Sequence, residues 1–439
     1  MVRDIDHQRV DRRKFLAASA GVGAATFAGC LGGDEGVDDD GTDDTDVDDT
    51  GADDGDDFEE DEDLRDIMLG ILMPETGDLG SLGPGIRDGA RLVARQLDGE
   101  VDFNLDFATG DTQTDPQAGI SEADSLVDSG YPAVVGPAAS NVNLQVTRQS
   151  FIPNQVVGMS PASTAPAVTD LDDDGYIFRT AISDALQGPV AAEFAMDEFD
   201  AETAGTLFLN DDYGQALEES FVNAFEDMGG EALNRVSFEH EQPSYTSQLD
   251  EALDDEPDFL FVVGFPQSGI QLFRDYYDGF QDDVDLPVVV TDGLIDDSLP
   301  GEVGNDMENV WATAPAAAGP GADFFADMYE EEWGSSPGVF NAEAYDAAAA
   351  LVLANAAAGE NDGTAIRDNI RPVTDPGGEL ITPENLAEGV ELAAAGEEIE
   401  YQGAASDVVF DENGDVASAQ YDISRVVAGA FEVQRTVEA

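Results

Sequence analysis

Positive charge is what this chain most lacks. Lysine occurs once, at Lys14, and Lys and Arg together number 17 against 96 Asp and Glu, a formal net charge of −79. A field of that sign repels phosphate backbones and anionic headgroups, which argues against nucleic acid and acidic membrane surfaces as partners. Cysteine is equally scarce. Cys30 stands alone, so no intramolecular disulfide and no cysteine-based zinc site can form. The only histidines are His7 and His240. One histidine beyond the N-terminal segment, with no thiol there, equips a chain poorly for triad chemistry, and no metal or cofactor is expected.

What is present is an ordinary hydrophobic content of 42% spread over 439 residues. That is enough for a core and too much chain for one, so two domains are expected. At low salt the acid excess opposes compaction. At about 1 M salt the screening length falls to about 3 Å and most of the repulsion disappears. Acid excess with lysine loss resembles the composition of proteins from extreme halophiles.

The N-terminus reads as an address. Arg12, Arg13, Lys14, Phe15 and Leu16 form a twin-arginine run, followed by the small-residue apolar stretch Ala17 to Ala28. That stretch is too short for a bilayer span, which takes about 20 apolar residues, and suits a secretory signal. Phe27, Ala28, Gly29 and Cys30 then resemble a lipoprotein cleavage box, implying lipidation of Cys30. From Asp34 to Asp63 the chain is mostly Asp with Glu, Gly and Thr. Without an apolar period it cannot bury a core, and self-repulsion extends it into a tether. The leader is assigned to 1–30 and the tether to 31–65.

From Ile67 onward short apolar runs alternate with amphipathic stretches. Strands are expected at Ile67–Met73, Phe103–Ala108, Ala133–Val135 and Val156–Met159, and again at Ala204–Leu209, Ala232–Phe238, Phe259–Val263, Pro287–Thr291 and Val310–Ala314. Asp115, Pro116 and Gly130 supply a cap, a first position and a stop for one of the intervening helices. The alternation predicts an α/β fold of two doubly wound, mostly parallel sheets. Asn413 and Gly414, between Val408–Phe410 and Gln420–Val426, signal a C-terminal hairpin. Asp170, Asp172 and Asp174 with Gly175 copy the opening of a calcium loop, but Ala181 stands where the bidentate Glu is needed, so a solvated turn is expected. Trp311 and Trp333 fall on apolar faces and read as core.

Six segments, GILMPETGDLGSLGPGIRDGARL from Gly70, DTQTDPQAG from Asp111, SPASTAPAVT from Ser160, FRTAISDALQG from Phe178, NDDYGQAL from Asn210 and AYDAAAALVLANA from Ala344, resemble the branched-chain amino-acid-binding protein family in the same order. The resemblance implies a type I periplasmic binding fold of two lobes joined by a three-strand hinge. Lobe 1 takes 66–183 and 314–401, lobe 2 takes 184–313 and 402–439.

Physically, Ser140 precedes a helix expected near Asn141, where N–H groups and the positive helix end suit a carboxylate. The resemblance implies that Ser140 and Thr164 hold the ligand carboxylate and that the Ala162 carbonyl accepts from the ligand amine. An ammonium in a partly dry cleft needs a counter-charge, and Asp292, just before Gly293, matches the family's acidic partner. Tyr213 matches a tyrosine that covers the ligand. Leu82 and Phe265 stand where members carry tyrosines, a departure that favours an apolar wall and leaves the ligand's identity open.

The expected protein is a monomeric, non-enzymatic solute-binding subunit serving ABC permease subunits. It would capture a branched-chain or related apolar amino acid by hinge closure, outside the membrane and anchored through Cys30. An amide, urea or aromatic-acid receptor of the same fold and a sensory subunit are the alternatives. A tethered hydrolase would have to rely on His240, flanked by Glu239 and Glu241.

Overall fold

The computed structural model describes residues 64–280, 286–416 and 420–439. The twin-arginine leader, Cys30 and the acidic stretch ending at Asp63 lie outside the described residues. Strands β1 (Arg65–Met73), β2 (Phe103–Asp111), β3 (Ala133–Val135), β4 (Val157–Ser160) and β5 (Ile177–Arg179) form a parallel sheet in the order β2-β1-β3-β4-β5. Strands β6 (Thr203–Leu209), β7 (Glu231–Phe238), β8 (Phe259–Val263), β9 (Val288–Thr291) and β10 (Val310–Pro315) build the parallel part of a second sheet. Strands β11 (Glu379–Ile381) and β12 (Ile399–Tyr401) form a separate two-stranded parallel sheet. Finally β13 (Gln420–Val427) and β14 (Ala430–Glu438) join β10 antiparallel, giving the order β14-β13-β10-β9-β8-β6-β7. The α/β fold with mostly parallel sheets is as expected.

Residue type explains which strands are central. Phe259 to Val263 and Val288 to Thr291 are buried throughout. Strands covered by helices on both faces read as continuous apolar runs rather than alternating ones. The helix Asn341–Ala358 is alanine-rich and buried from Asn341 to Ala356, as a helix apolar all round must be. It packs on the helix Gly83–Leu97. A Cβ on Gly89 would meet the Asn341 carbonyl oxygen at 2.2 Å, so glycine permits that approach. Trp311 is part of the packing, its ring 5.3 Å from Phe194 and 6.2 Å from Phe199. No helix among the described residues is long and apolar enough to cross a membrane.

Three places differ from the sequence reading. Arg65, assigned to the tether, opens β1: its guanidinium bonds Asn355 Oδ1 at 2.7 Å and lies 4.8 Å from the Phe103 ring centroid. Among the described residues the Asn413–Gly414 turn closes the single bridge Phe410–Val416. The extended hairpin is β13–β14, around Ala428 and Gly429, both at positive φ. Alanine in a primed turn carries no sequence signal of the Asn-Gly kind.

The reason lies in the third difference. The segment before β13 was assigned to the second lobe, but its turn is drawn to the first sheet. Arg179 N–H donates to the Gly414 carbonyl at 3.0 Å, and its fully buried guanidinium grips Asp415 through Nε at 2.6 Å and Nη2 at 2.8 Å. Phe178 and Phe410 stack edge to face beside it. The calcium-like run is a turn in which Asp173 accepts from the N–H groups of Gly175 and Ile177.

Candidate functional site

The carboxyl ends of the parallel strands in both sheets converge on one cleft, which is where open α/β sheets bind ligands. From the first sheet, the segment after β1 brings Leu79 and Leu82, the turn after β3 brings Ala138, Ala139 and Ser140, and the turn after β4 brings Ala162. From the second, Tyr213, Phe265, Asp292 and Gly293 follow β6, β8 and β9. Together with Ile86 and Phe340 these residues line one small, tightly closed cavity. The structure therefore brings together Leu82, Ser140, Ala162, Tyr213, Phe265 and Asp292. Thr164 sits behind this wall, fully buried. Its carbonyl accepts from Asp184 N–H at 2.9 Å and from Arg179 Nη1 at 3.0 Å.

Ser140 is not a helix cap. It is the first residue of the helix Ser140–Val146, and its Oγ accepts from the Ala165 N–H at 3.2 Å, tying two ligand-side turns together. Tyr213 stacks on Phe265, with ring centroids 5.3 Å apart and planes 6° apart. Its hydroxyl lies 2.8 Å from Thr291 Oγ1 and 3.3 Å from Asp292 Oδ2. Gly293 allows this: a Cβ there would sit 2.5 Å from the Gly264 carbonyl oxygen and 3.1 Å from the Tyr213 hydroxyl. Asp292 is 2% exposed and its Oδ1 has no partner among the described residues. Burial pushes this carboxyl up to about 6, with neighbouring donors including Gln187 and Tyr213 working the other way.

Sequence reasoning missed a polar junction beside the cavity. Asp78, in the segment after β1, crosses to the second sheet's helix Pro266–Gly279. There its Oδ1 accepts from Ser268 N–H at 2.7 Å and its Oδ2 from the Ser268 hydroxyl at 2.6 Å. His240 adds a second tie, with Nδ1 2.7 Å from Asp78 Oδ2 and Nε2 3.3 Å from Asp211 Oδ2. Burial would lower the imidazole pKa, but the hydrogen bonds and charges of Asp211 and Asp78 outweigh it and raise it to about 10. At neutral pH His240 is a cation between two acids, which disqualifies it as the general base a hydrolase would need. A single Asp in so acidic a chain carries no signal that would have marked Asp78.

The family described as "Periplasmic binding protein" is matched over residues 66–430. The chemotactic signal transduction system substrate-binding protein BasB of Halobacterium salinarum is 25% identical over 371 residues, covering 78% of this chain and 83% of BasB. Among solved structures, the leucine binding protein LivK of Thermotoga maritima superposes with a TM-score of 0.72 at 23% identity, covering 85% of this chain and 99% of LivK. A solute binding protein from R. palustris in complex with benzoate superposes with a TM-score of 0.68 at 16% identity, covering 85% and 96% respectively.

Proposed function

The chain belongs to the periplasmic binding protein family, and from that premise we propose that it is the extracytoplasmic solute-binding subunit of an ABC importer for a branched-chain or related apolar amino acid. In this reading the two sheets are lobes that close on the ligand, and closure is driven by contacts that only the closed form makes. Ser140 and the turn bearing Thr164 take the carboxylate, the Ala162 carbonyl and Asp292 take the amine, and Tyr213 covers it. Leu82, Phe265 and the unforeseen Leu79, Ile86 and Phe340 wall the side chain. Lipidated Cys30 holds the protein to the outer face of the membrane, near its permease.

The observation that carries this reading is the meeting of Ser140, Ala162, Tyr213 and Asp292 on one apolar-walled cavity between the two sheets. LivK's name supports an aliphatic amino acid as the ligand class. The test is calorimetry in high salt with leucine, isoleucine, valine, alanine and benzoate. Binding of one of the amino acids is expected, with Asp292→Asn weakening it by about 2–5 kcal/mol, the range for truncating a buried charge pair. Unchanged affinity in that variant, or binding of benzoate alone, would refute the assignment. BasB's name favours a second reading, ligand sensing instead of import. Uptake of labelled ligand in a strain lacking the gene separates the two: import predicts that uptake falls, sensing that only the behavioural response is lost.

A further inference from the structure

Asp346 lies in the buried, alanine-rich helix Asn341–Ala358, away from the ligand cavity, and is 0% exposed. An apolar side chain there would need no partner, whereas a buried carboxyl must be offset by donors. Those donors are the Tyr401 hydroxyl at 2.9 Å and the Ala404 N–H at 2.7 Å, both to Oδ1, and the Ala405 N–H at 2.8 Å to Oδ2. Holding two consecutive amides and a hydroxyl at once takes two acceptor oxygens and no donor, which an ionised carboxylate provides. Gly403 completes the fit, because a Cβ there would collide with both carboxylate oxygens.

The residues so held belong to a stretch that links the two sheets. Three stretches do so: one after β5, one after β10 and one before β13. The helix bearing Asp346 packs on β1, β3 and β4, so it belongs to the first sheet. The carbonyls of Gly403, Ala404 and Ala405 are taken by the stretch after β10, accepting from the N–H groups of Gly321, Gly319 and Ala318, each at 3.0 Å. Two residues before Ala318, the Ala316 N–H donates to the Gln420 carbonyl at 2.9 Å, at the end of the β10–β13 pairing in the second sheet. This stretch therefore passes from one sheet to the other at a single exposed residue, Ala317. The stretch after β5 passes as abruptly at the buried Asp184. Its N–H donates to the Thr164 carbonyl of the first sheet's turn, and its carbonyl accepts from the Ser220 hydroxyl on the second sheet's helix Asp212–Asp227, both at 2.9 Å.

We propose that Asp346 sets the pivot of lobe closure: by fastening 403–405, and through them 318–321, to a helix of the first lobe, it confines bending of the middle crossing to Ala317. The inference rests on the closure reading above and extends it. Asp346 touches no ligand, so it is a positioning residue. With the clamp intact, the empty protein is held in the arrangement that closes. With it broken, two crossings slide on the first lobe and the share of molecules ready to close falls. Apparent affinity falls with that share. The closed form keeps its contacts across the cleft, so the loss belongs to association and not to release.

The test is stopped-flow binding in high salt of whichever of leucine, isoleucine, valine and alanine binds most tightly. Working at pH 8 keeps Asp346 ionised, because burial pushes its carboxyl up to about 7 against the pull of its donors. Asp346→Asn sets an amide N–H against a backbone N–H. It should slow association about tenfold, a drop in the competent share to about one in ten, with release within about twofold of wild type. Gly403→Ala forces the same clamp apart with the acid in place and should give the same split. A residue serving stability alone would lower the unfolding midpoint and leave both rates as they were. That result in folded Asp346→Asn overturns the proposal, as does a loss that appears in release instead. Association within about twofold of wild type in Gly403→Ala overturns it even if Asp346→Asn fails to fold. Hydrogen exchange separates these results from a failure of closure itself. The Ser268 N–H bonds Asp78 across the cleft, so closure predicts that ligand slows its exchange. Exchange there that ignores ligand refutes the closure reading and this proposal with it. Slowed exchange alongside wild-type rates in both variants refutes the role of Asp346 alone. A wild type that binds none of the four amino acids refutes the amino-acid reading, and the proposal falls with it.

Discussion

Two residues concentrate the electrostatic cost of this fold and can be tested singly. Arg179 is fully buried and holds Asp415, Thr169 and three backbone carbonyls at once. Arg179→Met keeps much of the bulk but leaves Asp415 and those carbonyls without donors. Removing one partner of a buried pair destabilises by about 3–5 kcal/mol, so denaturant unfolding in high salt should show a loss of that order. Asp292, by contrast, should show itself through pH. Its carboxyl sits at about 6 because burial disfavours the charge. Only the ionised form attracts an ammonium, so amino-acid affinity should hold steady above neutrality and fall as pH drops through about 6. Asp292→Asn should remove that dependence. Calorimetric titration from pH 8 to pH 5 checks both halves of the statement.

Between elements, the junction of Asp78 with Ser268 and His240 joins the segment after β1 to the two segments that follow β7 and β8. Hydrogen bonds to charged groups contribute about 1.5–3 kcal/mol each. Asp78→Ala should therefore speed ligand dissociation about tenfold or more while leaving each sheet intact, as stopped-flow release would show. The imidazole's contribution has a definite pH window. Its pKa is raised from the ordinary 6.5 to about 10, so the attraction is fully present below the ordinary value and is lost as pH rises through about 10. Faster release near pH 10 in the wild type, absent in His240→Gln, is the expected result.

At the scale of the whole molecule, a formal charge of −79 opposes every compact state. Screening lengths shrink from about 10 Å at 0.1 M salt to about 3 Å at 1 M. The midpoint of thermal unfolding should rise steeply over that range. Buried pairs such as Arg179–Asp415 are screened far less, so salt should act mainly through the surface. An unfolding midpoint indifferent to salt would show that the acidic surface is not what limits stability.

Much was legible in the sequence because it depends on near neighbours in the chain. Apolar runs such as Phe259–Val263 had to be buried strands, Asp115 with Pro116 had to start a helix, and the segments Ser160–Thr169 and Asn210–Leu217 begin where β4 and β6 end, at the strand ends that the pattern itself sends to the cleft. Six of the seven candidate ligand residues consequently line one cavity. Tertiary structure alone decided what depends on residues distant in sequence. Among 96 acids none announces that it is buried, so Asp184 and Asp78 could not be told from surface filler, and the 236 positions between Arg179 and Asp415 hid the pairing that moves the segment before β13 to the first sheet. Periodicity reports which face of an element is apolar. Whether a charge is desolvated, and what faces it, is settled only when the two halves meet.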